Sequence, residues 1–397
     1  MRPSLYPAFV ALVLLASMLA CNLPRPSGVT PSPEIGIPVT SPEAATIPPE
    51  PTDTVAPTET PVSEPAVVTF AEGAFNLYTL GGSLLETRPA PGLDWVRPGK
   101  VQVLGQSIYY VDSGEAGVGG VVKRVSQSGT EELSFTAALA VTGLTFAVNR
   151  DESKIAWGHS GWVDTGPESQ MWIANRDGSG ALLAAESSPN DTIEDYYIVE
   201  PYRWTPEGDL LYAWQITGIG GYILFFGYSS LYRYSPASAA ITPLVPAEAT
   251  GGPCWNSVSP DGVYLVGSCV GTSGVEGMRE RNLLTGEETV FPVWPGEQGQ
   301  AGAGAYSPTG SRLAYAIARG EDPNNEAGRV LVVLSRGEDP LAIASITNGY
   351  FSDLAWVDEE RLIVGSWQGD SASVQLLGID GAMAPLASGS LVGLMHP

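Results

Sequence analysis

The sequence predicts an all-β chain: a β-propeller of seven four-stranded antiparallel blades, with six as the alternative count. Three observations carry this. Gly and Pro are abundant, 47 and 33 of 397 residues, which favours short strands and frequent turns over long helices. A unit of strand, Pro/Asp/Gly turn, strand, variable loop, strand, Gly turn and strand recurs along the chain. No stretch shows sustained helical periodicity.

The first turn of the unit is clearest at Thr205-Pro206-Glu207-Gly208, Ser259-Pro260-Asp261-Gly262 and Ser307-Pro308-Thr309-Gly310. Weaker copies begin at Asn149 and Val357. Each precedes a β-rich run, such as Ile155-Ala156-Trp157 or Leu313-Ala314-Tyr315. The second turn gives an independent count: Gly82, Gly129, Gly178, a position near Ala237, Gly286, Gly337 and Gly381. Seven such turns imply seven units of about 47 residues, and sheets of this kind bury both faces only by packing radially in a closed ring. Val67–Arg88 shows three strands and Ser390–Pro397 a lone one. Their union completes a blade and closes the ring; were Val67–Arg88 irregular, six blades would remain.

The repeats resemble those of the TolB-like propeller family, whose units carry a Ser-Pro-Asp-Gly turn and a later Asp-Gly turn. Residues 143–185 and 254–293 match best, and the likeness runs from about Val67 to the end. It implies the fold. It does not imply one function, because the architecture hosts binding, scaffolding and catalysis.

The N-terminal part reads differently. Residues 1–20 form a signal peptide, with Arg2 ahead of an apolar run from Leu5 to Ala20 that is short for a membrane span. Met18-Leu19-Ala20-Cys21 resembles the lipobox of bacterial lipoproteins, although Met18 and Leu19 depart from its usual first two residues. The resemblance implies lipid attachment at Cys21 and an extracytoplasmic location anchored to the cell membrane. Residues 21–66 are a Pro/Thr-rich linker; over 22–66, twelve of 45 residues are Pro, seven are Thr and none is aromatic. Such a segment buries too little apolar area to offset the entropy of ordering it, and is expected to serve as a disordered tether. The propeller takes 67–397.

A formal charge of −24, with 19 Lys plus Arg, argues against nucleic acid and leaves the N-terminal lipid as the only membrane contact. The expected partner of the folded part is a protein or a carbohydrate, and the expected state is a monomer. There is no phosphate-binding glycine loop, dinucleotide fingerprint or Gly-x-Ser-x-Gly elbow, and no catalytic residue, cofactor or metal is assigned. Only His159 and His396 exist, and His159 is placed in a surface loop. Cys254 and Cys269 lie symmetrically about the Pro260-Asp261-Gly262 turn, which puts them opposite one another and predicts a disulfide. Trp204, Tyr306 and Trp356, each just before a first turn, are expected to wedge between blades.

Long second-to-third-strand loops are predicted at 158–170, 216–229, 270–277 and 318–328, on one face of the ring with the inter-blade loops. Long loops on a rigid scaffold are where binding usually resides. The candidate contact residues there are Trp162, Asp164, Tyr222, Phe225, Phe226, Tyr228, Asp322 and Asn324. Residues 216–229 either expose an apolar patch or turn at Gly218–Gly221 with the aromatics extending the third strand. The function predicted is a surface-tethered binding or scaffolding module. The alternative is a propeller hydrolase or lyase acting on sugars or lactones at the channel mouth.

Overall fold

The computed structural model describes residues 64–93, 96–114, 120–138, 141–163, 166–187, 197–216, 224, 227–228, 230–246, 255–271, 274–291, 293, 299–319 and 327–397. The signal peptide, Cys21 and nearly all of the linker lie outside them.

Blade 1 begins with β1 (Ala66–Ala71), β2 (Ala74–Tyr78) and β3 (Leu84–Pro89). Blade 2 is β4 (Val101–Leu104), β5 (Ser107–Asp112), β6 (Gly120–Ser126) and β7 (Gly129–Ala138). Blade 3 is β8 (Val141–Val148), β9 (Lys154–Val163), β10 (Gly166–Asn175) and β11 (Leu182–Ser187). Blade 4 is β12 (Tyr197–Trp204), β13 (Leu210–Ile216), β14 (Leu231–Ser235) and β15 (Ala240–Val245). Blade 5 is β16 (Ser257–Val258), β17 (Tyr264–Gly271), β18 (Gly274–Asn282) and β19 (Glu288–Phe291). Blade 6 is β20 (Gly299–Tyr306), β21 (Leu313–Arg319), β22 (Ala327–Val333) and β23 (Leu341–Thr347). Blade 7 is β24 (Tyr350–Trp356), β25 (Arg361–Gln368), β26 (Ser371–Gly378) and β27 (Met383–Ser388). The last strand, β28 (Ser390–Met395), returns to blade 1.

All pairings are antiparallel, and blade 1 has the order β28-β1-β2-β3. The ring therefore closes as the sequence predicts, in seven blades, with Ala66 opposite Met395 and Phe70 opposite Ser390. Gln106 Nε2 donates to the His396 carbonyl and the Arg361 guanidinium meets Glu64 at 3.0 Å, which ties the neighbouring blades to the closure.

The core is distributed. Buried apolar residues fall into seven clusters, one at each blade-to-blade junction. The second strand of a blade explains this. Side chains alternate between the faces of a sheet, and here both faces are covered. In β5, Ile108 and Tyr110 pack toward blade 1 while Tyr109 and Val111 pack toward blade 3. This is why the second strands read as unbroken apolar runs rather than alternating ones.

The turns follow the sequence count. Gly82, Gly129, Gly178, Gly286, Gly337 and Gly381 all have positive φ, and the seventh such turn places Ala239 at φ +54°. Trp204 Nε1 donates to the Ala147 carbonyl and Trp356 Nε1 to the Ala305 carbonyl, both at 3.0 Å across a junction. Tyr306 is buried. All three serve as wedges between blades.

Candidate functional site

The first strands of the blades line the central channel, and most are not regular. Register slips between Pro201 and Arg203 in β12, between Gly302 and Ala305 in β20, and between Phe351 and Asp353 in β24. It slips again in β28, where Gly393 and Leu391 face Val68 and Thr69 and Val392 is left out. In blade 5, Asn256 N donates to the Val266 carbonyl although Ser257 is the partner of Val266. A bulge leaves its extra residue out of the ladder and re-aims the side chain. The residues so released are Tyr202, Asn256, Ala303 with Gly304, Ser352 and Val392. Ala303 adopts φ +51°, a conformation costly for a residue with a Cβ.

All of these except Tyr202 line one cavity of about 220 Å³. Pro98, Leu224, Asp353, Leu354, Ala355, Leu391 and Gly393 complete its wall. Pro98 and Leu224 belong to connections on the same face of the ring, an inter-blade link and a second-to-third-strand link. Leu224 is buried, and its amide donates to Gln300 Oε1 at 3.4 Å. Any Cβ on Gly302 would overlap the Leu224 carbonyl. The small-residue run Gly299–Ala305 thus leaves room for another segment of backbone.

Two carboxyl groups lie in this central region, Glu200 buried and Asp353 half-buried. Asp353 faces the cavity and accepts a hydrogen bond from Ser352 Oγ at 2.6 Å. Burial holds its carboxyl above the usual range, and the Ser352 hydrogen bond opposes the shift. Gly365 makes room for it, since a Cβ there would stand 3.3 Å from Asp353 Oδ2. Glu200 in β12 lies 3.7 Å from the Arg97 guanidinium, which reaches it from the link between blades 1 and 2. Burial raises the Glu200 carboxyl too, against the pull of Arg97 and then Lys100.

Tyr228 belongs to this buried layer. It is 1% exposed, exchanges backbone hydrogen bonds with Trp255, and stands edge-on to Tyr202 at 5.7 Å. Its expected role as an exposed contact is corrected: the aromatic ring fills the junction between blades 4 and 5. Two of the predicted loops are corrected as well. Residues 158–170 and 270–277 mostly lengthen β9, β10, β17 and β18, leaving only 164–165 and 272–273 between the strands. His159 accordingly sits in β9, opposite Leu144 and Gln170, and burial lowers its imidazole pKa.

Trp162 is in β9, though nothing of its side chain is described. Asp164, Tyr222, Phe225, Phe226, Asp322, Asn324 and Cys254 lie outside the described residues. Cys269 is in β17 at a register shift. The described part of its hairpin pairs Ser257 with Val266 and Val258 with Leu265, a register centred between 261 and 262, but the slip at Asn256 and the shift at Cys269 interrupt that register before positions 254 and 269. The bridge itself falls on Cys254.

Sequence reasoning missed Asp353, Glu200, Arg97 and the inward course of the chain at Leu224. The run Gly299-Gln300-Ala301-Gly302-Ala303-Gly304-Ala305 was the available signal, because a strand so poor in bulk marks a close approach by other backbone.

No known protein family and no curated protein matches the chain by sequence. Among solved structures it is similar to a protein from Lactobacillus plantarum, at 15% identity and a TM-score of 0.52, over 84% of this chain and 99% of that one. It is similar to a puromycin hydrolase at 13% identity and a TM-score of 0.51, over 82% of this chain and 54% of that one. TolB from Acinetobacter baumannii is similar at 12% identity and a TM-score of 0.43, over 83% and 81%. The chain spans only 43% of a prolyl endopeptidase and 37% of a Mycobacterium tuberculosis puromycin-hydrolysing peptidase that it also matches. At such identities the likeness is one of backbone architecture, and fold is what it establishes.

Proposed function

We propose that this chain is a surface-tethered extracytoplasmic lipoprotein whose propeller binds a protein or glycan partner through the face that carries its longer connections. One observation carries the reading. The antiparallel blade order sends the inter-blade and second-to-third-strand connections to one face, and the four longest fall there: 90–100, 188–196, 217–230 and 246–256. The connections of the opposite face are shorter, 334–340 being the longest. A rigid ring with its longest connections on one side is the arrangement in which loops evolve contacts without disturbing the core. The alternative hydrolase or lyase gains Asp353 as an acid. Among the described residues lining the cavity, however, it is the one carboxyl, where sugar hydrolysis by the common route takes two.

Partner capture on intact cells tests the reading. The full chain is compared with one carrying Tyr222→Ser, Phe225→Ser and Phe226→Ser, and with another carrying Asp322→Ala and Asn324→Ala. Loss of a bound protein or glycan in either supports it, and equal capture by all three overturns it. Labelled palmitate incorporation that vanishes in Cys21→Ser tests the anchor.

A further inference from the structure

Asp353 poses a problem that the proposed surface partner does not solve. Its half-buried carboxyl faces the channel cavity, and Ser352 is its hydrogen-bond partner. No arginine, lysine or histidine of the described residues forms an ion pair with it. A carboxylate partly withdrawn from water beside an apolar wall, with no counter-charge, is disfavoured when ionised, so the cavity favours a cation brought from outside.

The rest of the wall says which kind. A divalent metal takes several converging oxygens, commonly from more than one carboxylate, and among the described lining residues Asp353 is alone. A bare monovalent ion would leave the apolar wall of Pro98, Leu224, Leu354, Leu391 and Val392 without contact. Asn256 and Ser352 add polar atoms on the same lining. At ~30 Å³ per water the space holds about seven waters, the bulk of a short alkyl chain with a polar head. We propose that the channel cavity is a binding site for a small organic ammonium ion, its charged head on the Asp353 carboxylate and its aliphatic body against Leu224, Leu391 and Val392.

Such a ligand gives a half-buried carboxylate that has no counter-charge a charge-assisted hydrogen bond, the strong class. It also covers apolar surface that would otherwise face trapped water. The site shares Leu224 with one of the long connections, but neither its charge nor its wall comes from Trp162, Tyr222, Phe225, Phe226, Asp322 or Asn324.

The test is calorimetric titration of the full chain with butylammonium chloride, alongside sodium butyrate, 1-butanol and potassium chloride. Two variants accompany it. Asp353→Asn removes the charge at nearly constant shape, and Val392→Phe fills the cavity while keeping the carboxyl. Thermal melts and near-ultraviolet circular dichroism establish that both fold. The expected result is saturable one-site binding of butylammonium alone, weakened at least tenfold in each variant. Absence of saturable binding overturns the proposal. Equal binding by wild type and both folded variants also overturns it, since the cation would then be held by the acidic surface.

Discussion

The two ends of the ring use glycine for opposite reasons. At the tight-turn end, Gly286 has φ +76° and open space on every side, so the residue is there for a backbone conformation that other side chains rarely adopt. On the channel strand β20, Gly302 has no such φ, and a Cβ would collide with the Leu224 backbone; the residue is there for room. The first kind recurs blade after blade and follows the repeat. The second kind is local and follows whatever another blade sends inward. What repeats in this molecule builds the ring, and what does not repeat shapes its interior.

The largest effect should come from breaking the repeat at its seam. Removing residues 390–397 takes β28 from blade 1, and with it Leu391 and Met395 from the junctions with blades 7 and 2. We expect no cooperative thermal transition in a circular dichroism melt. Reduction of the proposed Cys254–Cys269 bridge should cost about 3 kcal/mol by the loop-entropy account. Peptide mapping without reductant checks the bridge, and free thiols at both positions would remove it.

Gly302→Val should cost ~2 kcal/mol through overpacking against Leu224, read as a lowered denaturant midpoint. Gly286→Ala should cost about 1 kcal/mol, and Gly286→Asn less, because Asn tolerates the left-handed region. Were Gly286→Asn as costly as Gly286→Ala, the account of Gly286 as a residue kept for its backbone conformation would fail.

The last prediction differs in sign. The fold raises the Asp353 carboxyl above its value in the unfolded chain, about 3.9. Its contribution to stability is therefore complete below that value and is lost as pH rises through the raised one. Asp353→Asn cannot ionise, so it should gain on the wild type as pH is taken from about 4 to 8 and match it near pH 3. A difference that grew toward low pH would contradict the placement of the carboxyl.

The blade count and closure were legible because turn chemistry is local: a Gly or Asp-Gly at the right spacing reports a conformation within four residues. Second strands were legible because both faces are buried. The segments His159–Gly161 and Gly274–Gly277 read as loop, since small and polar residues carry no periodic signal, yet pairing with neighbouring strands continues through them. The channel was not legible for a different reason. Arg97 and Glu200 are 103 positions apart, and Leu224 and Gly302 are 78 apart, and only ring closure decides which inner strands face one another. Tyr228 misled because an aromatic in a glycine-rich stretch is read as exposed until its neighbours, Tyr202 and Trp255, are known.

The pairing of Ala66 with Met395 has a consequence for how the chain reaches this state. Those partners are separated by 329 positions, so the contact that shuts the circle spans nearly the entire folded length. Contacts of such long range are slow to form because the chain must lose much freedom before they give anything back. Blades 2 to 7 can each assemble from consecutive residues as they are made. Blade 1 must wait with three strands and an open inner edge until residues 390–395 supply the fourth.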